Sequence, residues 1–109
     1  MSPGTQRLLL TREFGTWRDE LNPVLRTRVA NRLEQLTMGH LGDSRSLGGG
    51  LFELRWRMGL RVYYTRRRVR EVDSIVLIGG FKGTQHGDID KARSLQTAYE
   101  RRLLDGGAA

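Results

Sequence analysis

Apolar residues recur along this 109-residue chain with two different periods, and the changes of period mark its elements. Arg7–Thr11 holds three consecutive leucines, Leu8, Leu9 and Leu10, and predicts a first strand. Phe14, Trp17 and Leu21 then fall at helical spacing, so a first helix is expected from Thr11 to Leu21. Asn22–Pro23 is a restart signal: Asn accepts a hydrogen bond from an orphan amide as N-cap, and Pro has the right φ for the first helical position. Leu25, Val29, Leu33 and Leu36 make one stripe, with Arg26, Arg28, Arg32 and Glu34 off it, which predicts a second, amphipathic helix ending before Gly39. The tight connection predicts an antiparallel helical hairpin.

Five glycines between Gly39 and Gly50 read as a loop. After it the period becomes two. Phe52, Leu54 and Trp56 point to one side and Glu53, Arg55 and Arg57 to the other; Leu60, Val62 and Tyr64 alternate with Arg61, Tyr63 and Thr65. Met58–Gly59 joins these two strands as a hairpin. Val72–Ile78, almost continuously apolar, predicts a central strand closed by Gly79–Gly80. A third helix should begin near Thr84–Asp88, with Asp88 as its N-cap and Ile89, Ala92, Gln96, Tyr99 and Leu103 facing inward. Residues 105–109 read as a frayed tail. The expected fold is therefore α+β, in the order β-α-α-β-β-β-α, one domain over residues 1–109. The helical hairpin should cover one face of a small, twisted, mainly antiparallel sheet through Phe52, Leu54, Trp56, Val62 and Tyr64, with Trp17 and Trp56 in the core. Arg55, Arg57, Arg61 and Tyr63 should share the opposite face, provided that no bulge shifts the register.

Charge changes the picture from fold to function. Nineteen basic residues oppose twelve acidic ones, and seventeen of the nineteen are arginine. Seven of these, at 55, 57, 61, 66, 67, 68 and 70, fall in a stretch with no acid. Arginine offers a flat donor fork that suits phosphate, so the cluster reads as a footprint for a polyanion; the plainer reading is a solvated surface. Other chemistry is limited. The chain has no cysteine, hence no disulfide or thiolate metal site, and its two histidines without a tight carboxylate cluster predict no metal centre and no cofactor. The longest apolar runs are too short to cross a bilayer, and the N-terminal stretch does not look like a signal peptide, so a soluble cytoplasmic protein is expected.

The run Gly42-Asp43-Ser44-Arg45-Ser46-Leu47-Gly48-Gly49-Gly50-Leu51-Phe52-Glu53-Leu54-Arg55 resembles a signature of the HigB-like killer proteins of addiction modules, within the RelE/ParE toxin superfamily. Gly59-Leu60-Arg61-Val62-Tyr63-Tyr64 is similar to that family's "G-x-R-v-Y-Y" strand. Leu77 to Gln85 and Asp88 to Ala92 resemble its "LL-GG-x-K-x-x-Q…DI-x-x-A" ending. The likeness runs from about Leu8 to Leu104 in the family's order. It implies a RelE-like fold and the toxin of a type II toxin–antitoxin system, acting as a ribosome-dependent mRNA endoribonuclease. It also implies a neighbouring antitoxin, often a helix-turn-helix protein, through which alone operator DNA would be bound. Arg61 matches the arginine of the "R-v-Y" strand, Arg55 that of "ElR", and Lys82 lies near the basic residue after the last strand. Two features depart from the pattern. Ile89 stands where some members carry tyrosine, and the only histidines are His40 and His86, where others use a pair.

Cutting RNA without a metal requires a base for the 2′-hydroxyl, cations for the developing phosphate charge, and an acid for the leaving 5′-oxygen. Arg61, Arg55 and Lys82 suit the second task. Arginine stays charged and carries no proton, so acid–base work falls to Tyr63, His86, Lys82, Glu53 or a ribosomal group. Arg57, Arg66, Arg67, Arg68 and Arg70 are candidates for RNA binding. Each has a plainer role: Arg61 can pair with Glu53 across the hairpin, Tyr63 can stack on a base or merely cover the sheet, and Lys82 and His86 can be solvated loop residues. Two alternatives remain: a ParE-like inhibitor that blocks DNA gyrase by binding, and an inactive toxin-derived interaction module.

Overall fold

Thr11 and Asn22 start the two N-terminal helices where the sequence predicts a boundary. The Thr11 hydroxyl accepts from the Phe14 amide at 2.9 Å, opening α1 (Arg12–Asp19), and the Asn22 side chain accepts from the Leu25 amide at 2.9 Å, opening α2 (Pro23–Thr37). The computed structural model describes residues 5–106. Its strands are β1 (Leu8–Leu10), β2 (Ser44–Gly48), β3 (Leu51–Arg55), β4 (Leu60–Thr65) and β5 (Ser74–Phe81); a single 3₁₀ turn, Lys82–Thr84, leads into α3 (Gln85–Leu104). One sheet contains all five strands in the order β1-β5-β4-β3-β2, parallel between β1 and β5 and antiparallel elsewhere. The α+β class and the mainly antiparallel sheet agree with the expectation.

Three expectations are corrected. The glycine-rich segment is not all loop: Ser44–Gly48 forms β2 at the edge of the sheet, paired with β3. Its glycines hide the signal, because they serve the tight β2–β3 turn, where Gly48, Gly49 and Gly50 have φ of 89°, 63° and 82°. Secondly, Gly79 and Gly80 do not close β5 but lie inside it. A Cβ at Gly79 would stand 2.3 Å from the Trp17 ring, and one at Gly80 2.0 Å from an Asp88 carboxylate oxygen. The pair lets α1 approach one face of the strand and α3 the other. Thirdly, Asp88 is not the N-cap; Thr84 holds that position, and its hydroxyl donates instead to Asp88 Oδ2 at 2.6 Å, within the first helical turn. Of the expected tail, Asp105 and Gly106 close α3 through amides bonded to the carbonyls of Arg101 and Leu103, and 107–109 lie outside the described residues.

Two apolar clusters sandwich the sheet. Phe14 of α1, Leu21 of the connection and Val29, Leu33 and Leu36 of α2 pack on Leu54, Leu60, Val62, Tyr64 and Val76, with Phe52, Trp17 and Trp56 partly buried against them. This is the face that the alternation assigns to the helical hairpin. The other face is not open: Ile89, Ala92, Leu95, Tyr99 and Leu103 of α3 lie over Leu51, Tyr63, Ile75, Leu77 and Ile78. Besides an irregularity at Leu47 in β2, a bulge does occur in β5, where Tyr63 and Tyr64 pair with Ile78 and Val76 and leave Leu77 as the extra residue. It leaves the β3–β4 register intact, so Glu53 faces Tyr63 and Arg55 faces Arg61 as the alternation requires.

Candidate functional site

The seven clustered arginines are divided by β4. Arg55, Arg57 and Arg61 lie at the end where β4 begins and β5 finishes, together with Lys82, whose amide donates to the Gly59 carbonyl at 2.8 Å. Arg66, Arg67, Arg68 and Arg70 follow the other end. At ~3.3 Å per extended residue the five steps from Arg61 to Arg66 span about 16 Å.

At the first end the packed sheet fixes Arg61. Its side chain is only 12% exposed, and Nη1 donates to the carbonyls of Trp56 at 3.2 Å and Leu60 at 3.1 Å. Its Nε is buried without a hydrogen bond, 3.9 Å from Glu53 Oε2. Arg55, across from it, is engaged by Asp43, to whose Oδ1 it donates from Nη2 at 2.9 Å and Nε at 3.3 Å. Arg57 lies exposed in the turn, and neither it nor Lys82 forms an ion pair among the described residues.

Glu53 is the centre of this arrangement and has no exposed surface. Its Oε1 accepts from Arg45 Nε at 3.1 Å and its Oε2 from Gln85 Nε2 at 2.5 Å. These contacts join β2, β3 and the first residue of α3. Arg45, Lys82, Gly83, Gln85, His86 and Ile89 then line an open hollow of about 390 Å³. Lys82 and His86 are exposed on its rim, one on each side of Gln85 in sequence.

Tyr63 lies under α3 with no exposed surface, and its hydroxyl has no hydrogen-bond partner. Burial, and next the neighbouring Glu53 carboxylate, push its pKa far above the ordinary phenol value. Of the two roles open to it, covering the sheet is the one its position permits; no base can reach it. Tyr64, on the other face, shares a 2.7 Å hydrogen bond with Ser44, and burial also raises its pKa, with the Ser44 bond opposing.

The arginines at the far end bind their own chain. Arg67 Nη2 donates to the Gly49 carbonyl at 2.7 Å and Nη1 lies 3.4 Å from Glu100. Arg68 approaches Asp73 at 3.7 Å, Arg70 donates to the Leu104 carbonyl at 2.8 Å, and Arg66 sits 5.3 Å over the Phe52 ring. All four are exposed.

Periodicity and charge do not single out Arg45 and Gln85, although both lie inside the motifs that carry the resemblance. The missing step was β2: once Ser44–Gly48 is a strand opposite β3, Arg45 pairs with Glu53 in register and must share its face.

No model of a known protein family matches the chain. An uncharacterized protein of Haemophilus influenzae is 35% identical to it over 94 residues, which span 84% of this chain and 93% of that protein. The chain belongs to the same family as that protein. The match covers nearly the whole of both, so the two are counterparts along their length and not sharers of a fragment. No helix among the described residues is long and apolar enough to cross a membrane.

Proposed function

We propose that this protein is the toxin of a type II toxin–antitoxin pair, with a RelE-like fold, and that it cuts mRNA in the cytoplasm as a metal-independent endoribonuclease working on the ribosome. The observation that carries the reading is that Arg61 and Lys82 lie at the same end of the sheet. One is held rigidly by backbone carbonyls and the other is free beside a hollow at the start of α3. Fixed cations of this kind stabilise the charge that develops on a phosphate during attack by the neighbouring 2′-hydroxyl. Arg61 Nη2 makes no hydrogen bond to the described residues and is the nitrogen available to a phosphate oxygen.

Proton transfer has fewer candidates than the sequence leaves open. Tyr63 and Glu53 are fully buried, so the exposed titratable groups on the rim, His86 and Lys82, are the ones that reach a bound RNA. Arg57 and the far-end arginines supply a field that draws the protein to ribosomal RNA. The antitoxin is a neighbouring acidic or amphipathic protein, and operator DNA is reached only through it.

A second reading, a non-enzymatic inhibitor of DNA gyrase, is favoured by one observation: among the described residues the one acid–base group paired with Arg61 is Glu53, which is fully buried and out of reach of a substrate. Brief induction of the protein alone separates the two. Cleaved, ribosome-associated mRNA ends are expected. Intact transcripts with collapsing chromosomal supercoiling would replace the nuclease by the gyrase inhibitor.

A further inference from the structure

A carboxylate with no exposed surface is costly to desolvate, and Glu53 meets that cost with partners from three elements. A neutral glutamine could accept the Gln85 hydrogen bond as well. The charge at Glu53 therefore needs a reason beyond joining α3 to the sheet, and the ion pair with the half-exposed Arg45 at 3.1 Å supplies only part of it. The reason lies in its neighbours. Arg61 Nε and Tyr63 Oη, the two buried side-chain polar atoms without hydrogen-bond partners among the described residues, belong to the residues beside Glu53 on β4. Arg61 is gripped on its Nη1 side by the Trp56 and Leu60 carbonyls, and its Nε, without a hydrogen bond among the described residues, lies 3.9 Å from the Glu53 carboxylate. That separation is too long for a hydrogen bond but short enough for a buried charge to orient a guanidinium.

We propose that Glu53 is a positioning residue: its buried charge fixes the guanidinium plane of Arg61, and its bond to Gln85 sets the first turn of α3, so that Arg61 Nη2 and the Lys82–His86 rim meet one RNA phosphate together. The second half of this statement rests on the nuclease reading; the first half does not. Glu53 itself touches no substrate, since it is sealed beneath Arg45, Arg61 and Gln85. Its effect passes through Oε2, which both Arg61 and Gln85 of α3 approach, while Oε1 is taken by Arg45. Contacts of this sort tighten when the substrate is bound, so a 3.9 Å approach in the free protein fits an arm that closes on phosphate.

The test compares the wild type, Glu53→Gln, Arg61→Ala and the double variant in the full-length protein. Single-turnover cleavage and equilibrium binding are measured separately on programmed ribosomes. Glu53→Gln should keep wild-type binding and lower the cleavage step on the order of tenfold to a hundredfold, less than a whole lost donor. Added to Arg61→Ala it should lower cleavage no further, because the two act through one group. Wild-type cleavage by Glu53→Gln, or losses that multiply in the double variant, overturn the proposal. A readout independent of cutting is the arginine side-chain NεH signal of Arg61 in NMR spectra. It should be protected in the wild type and lost or moved in Glu53→Gln, with backbone signals elsewhere in the sheet unchanged. If the wild type cuts no RNA, the nuclease reading falls, and this signal still decides: its survival in Glu53→Gln ends the positioning claim. Should Glu53→Gln not fold, Gln85→Ala takes its place. Slower cleavage with the Arg61 signal retained is then expected, and unchanged cleavage breaks the link through α3.

Discussion

The two ends of β4 carry similar charge and do opposite things with it. At the Arg61 end, a guanidinium is directed by two carbonyls and a buried carboxylate, and the exposed Lys82 at the same end forms no ion pair among the described residues. At the Arg66–Arg70 end, every arginine is exposed, and each is already turned toward a carbonyl, a carboxylate or a ring of its own chain. Exposed pairs of the latter kind contribute about 0–1 kcal/mol and hold no single geometry. Charge density along the sequence therefore does not make a site. Six residues of extended strand divide one run of arginines into a preorganised end and a diffuse one.

The sharpest way to break that contrast is to delete one arginine from each end. Arg61→Ala should lower single-turnover cleavage roughly a hundredfold, as expected for a lost transition-state donor, with ribosome binding little changed. Equal losses for Arg61→Ala and Arg67→Ala, both entirely in binding, would erase the distinction. A smaller effect tests whether the first end is rigid. Gly79→Ala sets a methyl 2.3 Å from a Trp17 ring that is itself packed by Phe14 and Phe81. It should cost about 1–3 kcal/mol in the denaturant midpoint, as overpacking does. Free accommodation of the methyl would mean that this end yields.

Tyr63 sharpens the picture of the same end through pH. Its folded pKa is raised, so the protonated phenol is the form that the fold favours. The stability it contributes is fully present below the ordinary phenol value of about 10 and is lost as pH rises above it. Tyr63→Phe should be close to neutral in stability at pH 7, because the hydroxyl has no partner to lose, and should blunt the alkaline loss. Cleavage that collapses in Tyr63→Phe would put the hydroxyl back in the chemistry, against its burial.

Much of this architecture is legible from period and punctuation. Asn22–Pro23 marks its helix start, and the alternation through Phe52, Leu54, Val62 and Tyr64 identifies the face under the hairpin, because both follow from local rules. What escapes is non-local. Gly79 and Gly80 read as a terminator, since nothing nearby in sequence reveals that Trp17 and Asp88 press on them. β2 is hidden among turn glycines, and with it the Arg45–Glu53 pair. The apolar stripe of α3 is visible, but which sheet face it covers is not, and that choice buries Tyr63 and leaves His86 and Lys82 as the exposed titratable groups at the start of α3.

The smallest expected effect belongs to the far end and is the most informative about the field there. Arg67 is about half exposed; its Glu100 contact at 3.4 Å contributes little at physiological salt, and the Gly49 carbonyl can turn to water when the arginine is removed. Arg67→Ala should therefore shift the denaturant midpoint by less than about 1 kcal/mol. Its effect on ribosome binding should be modest and should shrink as salt rises, since one fewer cation means fewer counterions released from RNA phosphate. The measurement is the slope of log binding constant against log salt for wild type and variant. A shallower slope, with the cleavage step unchanged once RNA is bound, is the expected result. An unchanged slope would show that Arg67 is held by Gly49 and Glu100 for structure alone, and the polyanion surface would then contract to Arg57, Lys82 and the hollow at the start of α3.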